Sequence, residues 1–274
     1  MVEKLNIWQK YDYLKGSALD IVPKALENGG SFTRIVESMK NRSLAMKLKD
    51  EDAIAAWVEQ GYWTLNPIFY DTNGNVKFGD VFDKTVMDYV RQISPAFSDN
   101  LDDNLDEGRM VLSDDFNLES ISGVQFNRKD ISKYANKFQI EKQANKNNMW
   151  LALADNDKST LEEHNSLLYK LAKDKYGKTE LMAVFIDEPS EKNNMGLFWF
   201  GRLGNYSINS NAIGNGNLYD NGRVVRVNAP EAQVDFKLKI NVVSPTLQDI
   251  LAIEKKDELS KNQRIKLIRD LYAL

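Results

Sequence analysis

The chain has no cysteine and a single histidine. The first absence removes disulfides, thiolate zinc sites, iron–sulfur clusters and cysteine nucleophiles together. The second leaves His164 as the one imidazole available to a Ser-His-Asp arrangement and excludes a multi-histidine metal site within one chain. Long apolar runs are also missing. Runs such as residues 181–186 stop at six residues, against the roughly 20 that cross a bilayer. The opening MVEKLNIWQKYDYLKG has no apolar secretion core. These absences give the expectation of a soluble protein made in the cytoplasm, with no membrane partner, that can still leave the cell inside a larger particle. Surplus positive charge is lacking too: 36 Lys and Arg stand against 40 Asp and Glu, a net charge of −4. Nucleic acid is therefore not expected as a main partner, since phosphate binding needs concentrated Lys and Arg, although a local basic groove is compatible with the total.

What is present is a sizeable core. The 274 residues are 42% hydrophobic and 10% aromatic, enough for one large domain or two ordinary ones. Residues 1–97 read as a mainly helical region. Ser31 stands as an N-cap, the acidic residues 50–52 favour the positive end of a following helix, and Gly61 stands as that helix's stop. Residues 62–70 read as extended, and DTNGN turns the chain as a hairpin into Val76. A helix from Asp80 buries Val86, Tyr89, Val90 and Ile93 and ends at Ser94-Pro95. Residues 98–112 read as an acidic connector, and 113–274 as an α+β sheet region with two closing helices. Within it a helix over 130–147, a strand over 149–154, a helix over 159–176 and a strand over 181–187 suggest a βαβ unit. Strands follow at 197–201, 223–228 and 234–243, then helices opened by Ser244-Pro245 and by the capping box at Ser260 and Gln263.

The most distinctive stretch is 201–222, GRLGNYSINSNAIGNGNLYDNG, in which half of the 22 residues are Gly or Asn. Gly reaches positive φ without steric cost and Asn tolerates it, so this segment encodes tight hairpin turns and backbone placed for contact. Arg202, Asn205, Tyr206, Asn209, Asn211, Asn215, Asn217 and Tyr219 are its candidate interaction residues.

Other motifs have plainer accounts. Residues 172–179, AKDKYGKT, and 181–188, LMAVFIDE, imitate a phosphate loop and a magnesium-holding strand. The order is reversed, however: a helix enters this loop and a strand leaves it, so a helix-to-strand turn explains it better. Asp71, Asn73 and Asn75, and likewise Asp102, Asn104 and Asp106, carry the first spacings of a calcium loop. Both lack the Gly at position six and the Glu at twelve that close the coordination shell. Asp220, Asp235 and Lys237 match the Asp…Asp-x-Lys arrangement in which carboxylates hold magnesium and Lys orients water. An exposed strand face carries the same residues. Trp199, Tyr206 and Tyr219, beside amide side chains, suit sugar stacking or a protein contact.

With no cofactor cradle and no nucleophile constellation, the expectation is an α+β, non-catalytic structural or interaction protein without a cofactor. Its expected partners are other protein subunits in a homo- or hetero-oligomer, such as a tailed-phage virion component. A magnesium-dependent nuclease and a glycan-binding module are the alternatives.

Overall fold

In the computed structural model, residues 13–99, 101–188, 190–204 and 209–227 are described, all within a unit spanning residues 1–227. The chain begins with β1 (Tyr13–Ser17) and α1 (Ala18–Leu26). The Ser17 hydroxyl caps α1 by accepting from the Asp20 amide. Next come β2 (Ser31–Phe32), α2 (Ile35–Leu48) and α3 (Glu51–Trp57), then β3 (Tyr62–Tyr70) and β4 (Val76–Gly79). Asp50 caps α3 and Asp83 caps α4 (Lys84–Arg91). The middle of the unit holds α5 (Leu101–Asn104), β5 (Leu105–Asp106), β6 (Arg109–Val111), β7 (Gly123–Phe126), α6 (Arg128–Tyr134), α7 (Glu141–Ala144), α8 (Asn148–Leu153) and α9 (Lys158–Tyr176). It closes with β8 (Val184–Phe185), β9 (Asn194–Phe200), β10 (Ala212–Ile213) and β11 (Asn221–Val227).

The larger sheet runs β5-β6-β9-β3-β4-β7, with β10 paired antiparallel to β9 and parallel to β8. Its central strand, β3, is buried along its whole length. Alternate residues serve different cores: Tyr62, Ile68 and Tyr70 join the one that includes α8 and α9. Trp63, Leu65 and Phe69 join the one that includes α1 and α4. Strand β9 repeats the division, Phe198 and Phe200 on one side and Met195 and Leu197 on the other. A sheet covered by helices on both faces explains why these two strands read as nearly continuous apolar runs. A second, three-stranded sheet joins β1 to β11 and β11 to β2, all antiparallel, so the first and last described strands lie side by side. The fold is thus α+β with a mixed sheet.

Several local expectations are corrected. Ser31 lies in β2 rather than capping a helix; α2 starts after Arg34, whose amide donates to the Glu37 carboxylate at 2.9 Å. The helix expected over 130–147 is broken into α6 and α7, with Asn136 at φ +57° between them. Residues 149–154 belong to a helix, α8. The Asn147 side chain accepts from the Met149 and Trp150 amides, and that cap decides a short apolar run that periodicity leaves ambiguous. The βαβ unit is therefore not formed. Residues 98–112, read as a connector, supply β5 and β6 to the larger sheet. Asn221-Gly222, at the end of the segment expected to form tight hairpin turns, opens β11; the turn comes before it, where the Asp220 amide donates to the Asn217 carbonyl at 2.9 Å. The strand over 234–243 and both closing helices lie outside the described residues.

Candidate functional site

An open groove of about 520 Å³ lies where β1 and β11 meet the end of β9 and the turn after α3. That volume is in the range of ordinary small-ligand sites. Trp199 lines it, half-buried, with its ring edge-on to the buried Trp63, centroids 5.4 Å apart and planes at 81°. Such a pair adds roughly 0.5–1.5 kcal/mol beyond burial and fixes the indole. Backbone packs against that indole from two directions. A Cβ on Gly61 would stand 2.6 Å from Trp199 Cζ2, and one on Gly222 would stand 2.4 Å from Cζ3 and 2.7 Å from Trp63 Nε1. Gly61 is thus required by a close approach to an aromatic ring and not by the end of α3, which stops at Trp57. Gly16 pairs opposite Gly222, and Lys15 pairs opposite Arg223, across the β1–β11 ladder. Arg202, Gln60 and Asn221 complete the lining, which includes three cationic residues and no acidic one.

The frame beneath the groove is held by Arg42, a fully buried cation with no carboxylate partner among the described residues. Its guanidinium donates to Tyr62 Oη (3.1 Å), Ser210 Oγ (2.7 Å), the Gly201 carbonyl (2.9 Å) and the Gln60 carbonyl (3.2 Å). It also lies 3.8 Å over the Phe200 ring. Burial lowers its pKa from the ordinary arginine value, with Tyr62 opposing. Because Gln60 and Gly201 adjoin the lining residues Gly61 and Arg202, one side chain ties two walls together. His164 lies beneath the same ring, 6.1 Å from Phe200 between centroids, with Nδ1 3.1 Å from Asn165 Oδ1. It is a packed, neutral histidine: burial first, and then the charge of Arg42, push its pKa down to about 3.

The candidate interaction residues separate on this frame. Arg202 and Tyr219 are exposed, and Arg202 enters the groove. Asn211 is buried, its Oδ1 accepting from the Ala183 amide at 3.0 Å. Asn209 accepts from Lys178 Nζ at 2.6 Å, and Asn215 donates to Asp187 at 2.8 Å. Asn217 packs against Gly108. These amides hold the turns of the segment. Asn205 and Tyr206 lie outside the described residues. So do Asp235 and Lys237, while Asp220 is exposed in the turn before β11.

The calcium-like stretches are engaged within the fold. Both Asp71 oxygens accept from Asn75, at 2.8 Å each, closing a hairpin whose Asn73 carbonyl accepts from Arg128. Asp102 and Asn104 fall in α5, and the Asp106 carboxylate accepts from Ser190 and from Asn194. No cluster of three or more His, Asp or Glu placed to hold a metal occurs among the described residues. The phosphate-loop imitation is a helix end: Gly177, at φ +65°, caps α9 by donating to the Lys173 carbonyl. Asp187 pairs with the buried Arg109, which also holds Glu107 and Asn194. Lys15, Gly16, Gln60 and Arg223 had no motif to announce them; the signal available was a Gly inside each of two strand-forming segments.

No protein-family model matches the chain, and no curated protein matches it. Its fold is similar to that of a solved structure from a study of how the C-type lectin fold accommodates massive sequence variation in Nanoarchaeota. The match has a TM-score of 0.54 and 14% identity and covers 78% of this chain and 95% of that one. At that identity the likeness is one of fold alone.

Proposed function

We propose that this protein is a non-catalytic recognition module that takes a saccharide-sized ligand in the groove over Trp199. The observation that carries the reading is the held, half-buried indole opening into a concavity with polar groups at its rim. An aromatic ring stacks on the C–H face of a sugar, and Asn221, Gln60 and Arg202 surround it with donors and acceptors for hydroxyls. The C-type-lectin-like frame supports a binding role only by analogy of fold, since function resides in sites grafted on folds. A glycan array together with tryptophan fluorescence tests it: binding should shift the emission, and Trp199→Ala should abolish both signals while the protein stays folded. A silent array with unchanged fluorescence removes the reading.

The wider setting we propose is a subunit of a larger assembly, such as a tailed-phage virion, resting on composition and on the interaction-loop character of 201–222. Native mass across a range of protein concentration tests it, a strict monomer counting against it. Metal-dependent DNA cleavage through Asp220, Asp235 and Lys237 is the alternative reading, two of whose residues lie outside the described ones. Intact DNA after incubation with magnesium or manganese would end it.

A further inference from the structure

The groove holds an arrangement of charge that folding alone does not favour. Lys15 and Arg223 sit directly opposite each other on antiparallel neighbours, and Arg202 enters the same concavity. Like charges directly opposite destabilise a strand pair. Lys15 Nζ lies 5.4 Å over the Tyr13 ring, but none of the three is in an ion pair among the described residues, and the lining has no carboxylate. The chain as a whole has more acids than bases, 40 against 36, so an acid-free cluster of three cations is not a reflection of bulk composition. The flanking backbone is bare: Gly16 and Gly222 form the adjacent pair, so two strands approach the ligand space without side chains at that step. Two guanidinium groups offer planar forks that match a carboxylate or sulfate in two-pronged fashion, and Lys adds a point charge.

Resting on the groove as a saccharide site, we infer that its ligand class is acidic saccharides, sugars carrying a uronate carboxylate or a sulfate. The ring stacks on Trp199, and the anionic group lies among Lys15, Arg202 and Arg223. A bound anion offsets the repulsion that the free protein carries across β1 and β11.

The test uses the full chain and four probes: heparin (sulfated and uronate-bearing), hyaluronate (uronate only), dextran (neutral) and single-stranded DNA. Heparin and hyaluronate should bind and dextran should not, with affinity falling about tenfold or more as salt rises from about 50 to 300 mM. Lys15→Gln and Arg223→Gln should each weaken binding about fivefold or more, the loss of one charge-assisted contact, while the melting temperature holds or rises. The unchanged or raised melting temperature separates lost recognition from lost folding. Dextran binding that needs Trp199 but ignores Lys15 and Arg223 would overturn the acidic class and leave the groove reading standing. Tighter binding of DNA than of either polysaccharide through the same cations would overturn it in favour of nucleic acid. No probe binding, with a silent glycan array, would remove both readings.

Discussion

Acidification should destabilise this protein through His164 in a defined window. The imidazole is fully buried, its Nδ1 faces Asn165 Oδ1 at 3.1 Å, and its Nε2 has no hydrogen-bond partner among the described residues. Burial, and then the charge of Arg42, push its pKa down to about 3, against the pull of Asn165. An unfolded chain protonates histidine near pH 6.5, so below that pH the unfolded state takes a proton that the folded state refuses. The contribution of His164 is therefore complete above about pH 6.5 and is lost as pH falls, by up to about 1.4 kcal/mol per unit, until the folded pKa near 3 is reached. At pH 4.5 the loss comes to about 2.7 kcal/mol, a large part of the ~5–15 kcal/mol that holds a typical domain. Urea unfolding of the wild type and His164→Gln between pH 7 and 4.5 measures it, because the difference cancels the titrating carboxylates common to both. The variant loses packing at neutral pH, but its deficit should shrink by about 2–3 kcal/mol at the acid end. A deficit independent of pH would mean that His164 titrates alike in both states, and the desolvated site beside Arg42 would be refuted.

Arg42→Met should cost about 3–5 kcal/mol, since four acceptors lose their donor inside the core; a chemical denaturation loss below about 1 kcal/mol would show that the clamp is dispensable. Gly222→Val has no room beside the two indoles and should cost about 1–3 kcal/mol, with a red-shifted tryptophan emission as Trp199 is displaced. Unchanged stability and emission would show that the strand yields without cost. Lys15→Met should change stability by less than about 0.5 kcal/mol, because relief of a like-charged cross-strand neighbour is offset by loss of the Lys15 Nζ contact 5.4 Å over the Tyr13 ring; a loss above about 1 kcal/mol would mean that the ring contact outweighs the repulsion.

The sequence made much of the local structure legible where one residue type decides. The bounds of β3 and the hairpin into Val76 follow from an apolar run and an Asn-Gly turn. The end of α9 at Gly177 and the stripe of Val86, Val90 and Ile93 are of the same kind. Legibility failed where long-range context wins. Residues 149–154 carry an apolar run compatible with strand or helix, and the Asn147 cap and tertiary burial select the helix. Residues 98–112 look like a solvated linker because acids dominate. Yet Arg109, fully buried, is paired with Glu107 and Asp187, and β6 lies between β5 and β9 in the larger sheet. The 201–222 segment was legible as turns, but its asparagines mostly hold those turns from within. The proposed recognition surface lies at its ends, next to Trp199, Arg202 and Arg223.

Three departures from local consistency coincide at the groove of this chain. Elsewhere strands alternate between two cores, helices are capped by Ser, Asp or Asn, and buried Arg109 is paired. At the groove, glycines interrupt two strands, cations oppose one another, and a tryptophan stays half in solvent. Each departure alone is a small loss and each has a local remedy: a β-branched residue for the glycine, a carboxylate for one cation, a smaller side chain for the indole. Their coincidence on β1, β11 and the end of β9 supports the proposal of a working surface there, because local rules are most often broken at functional sites. The same reasoning explains why no motif reveals the site. Its residues come from β1, the turn after α3, the end of β9 and the start of β11, brought together by the pairing of the first strand with the last and by the Arg42 clamp.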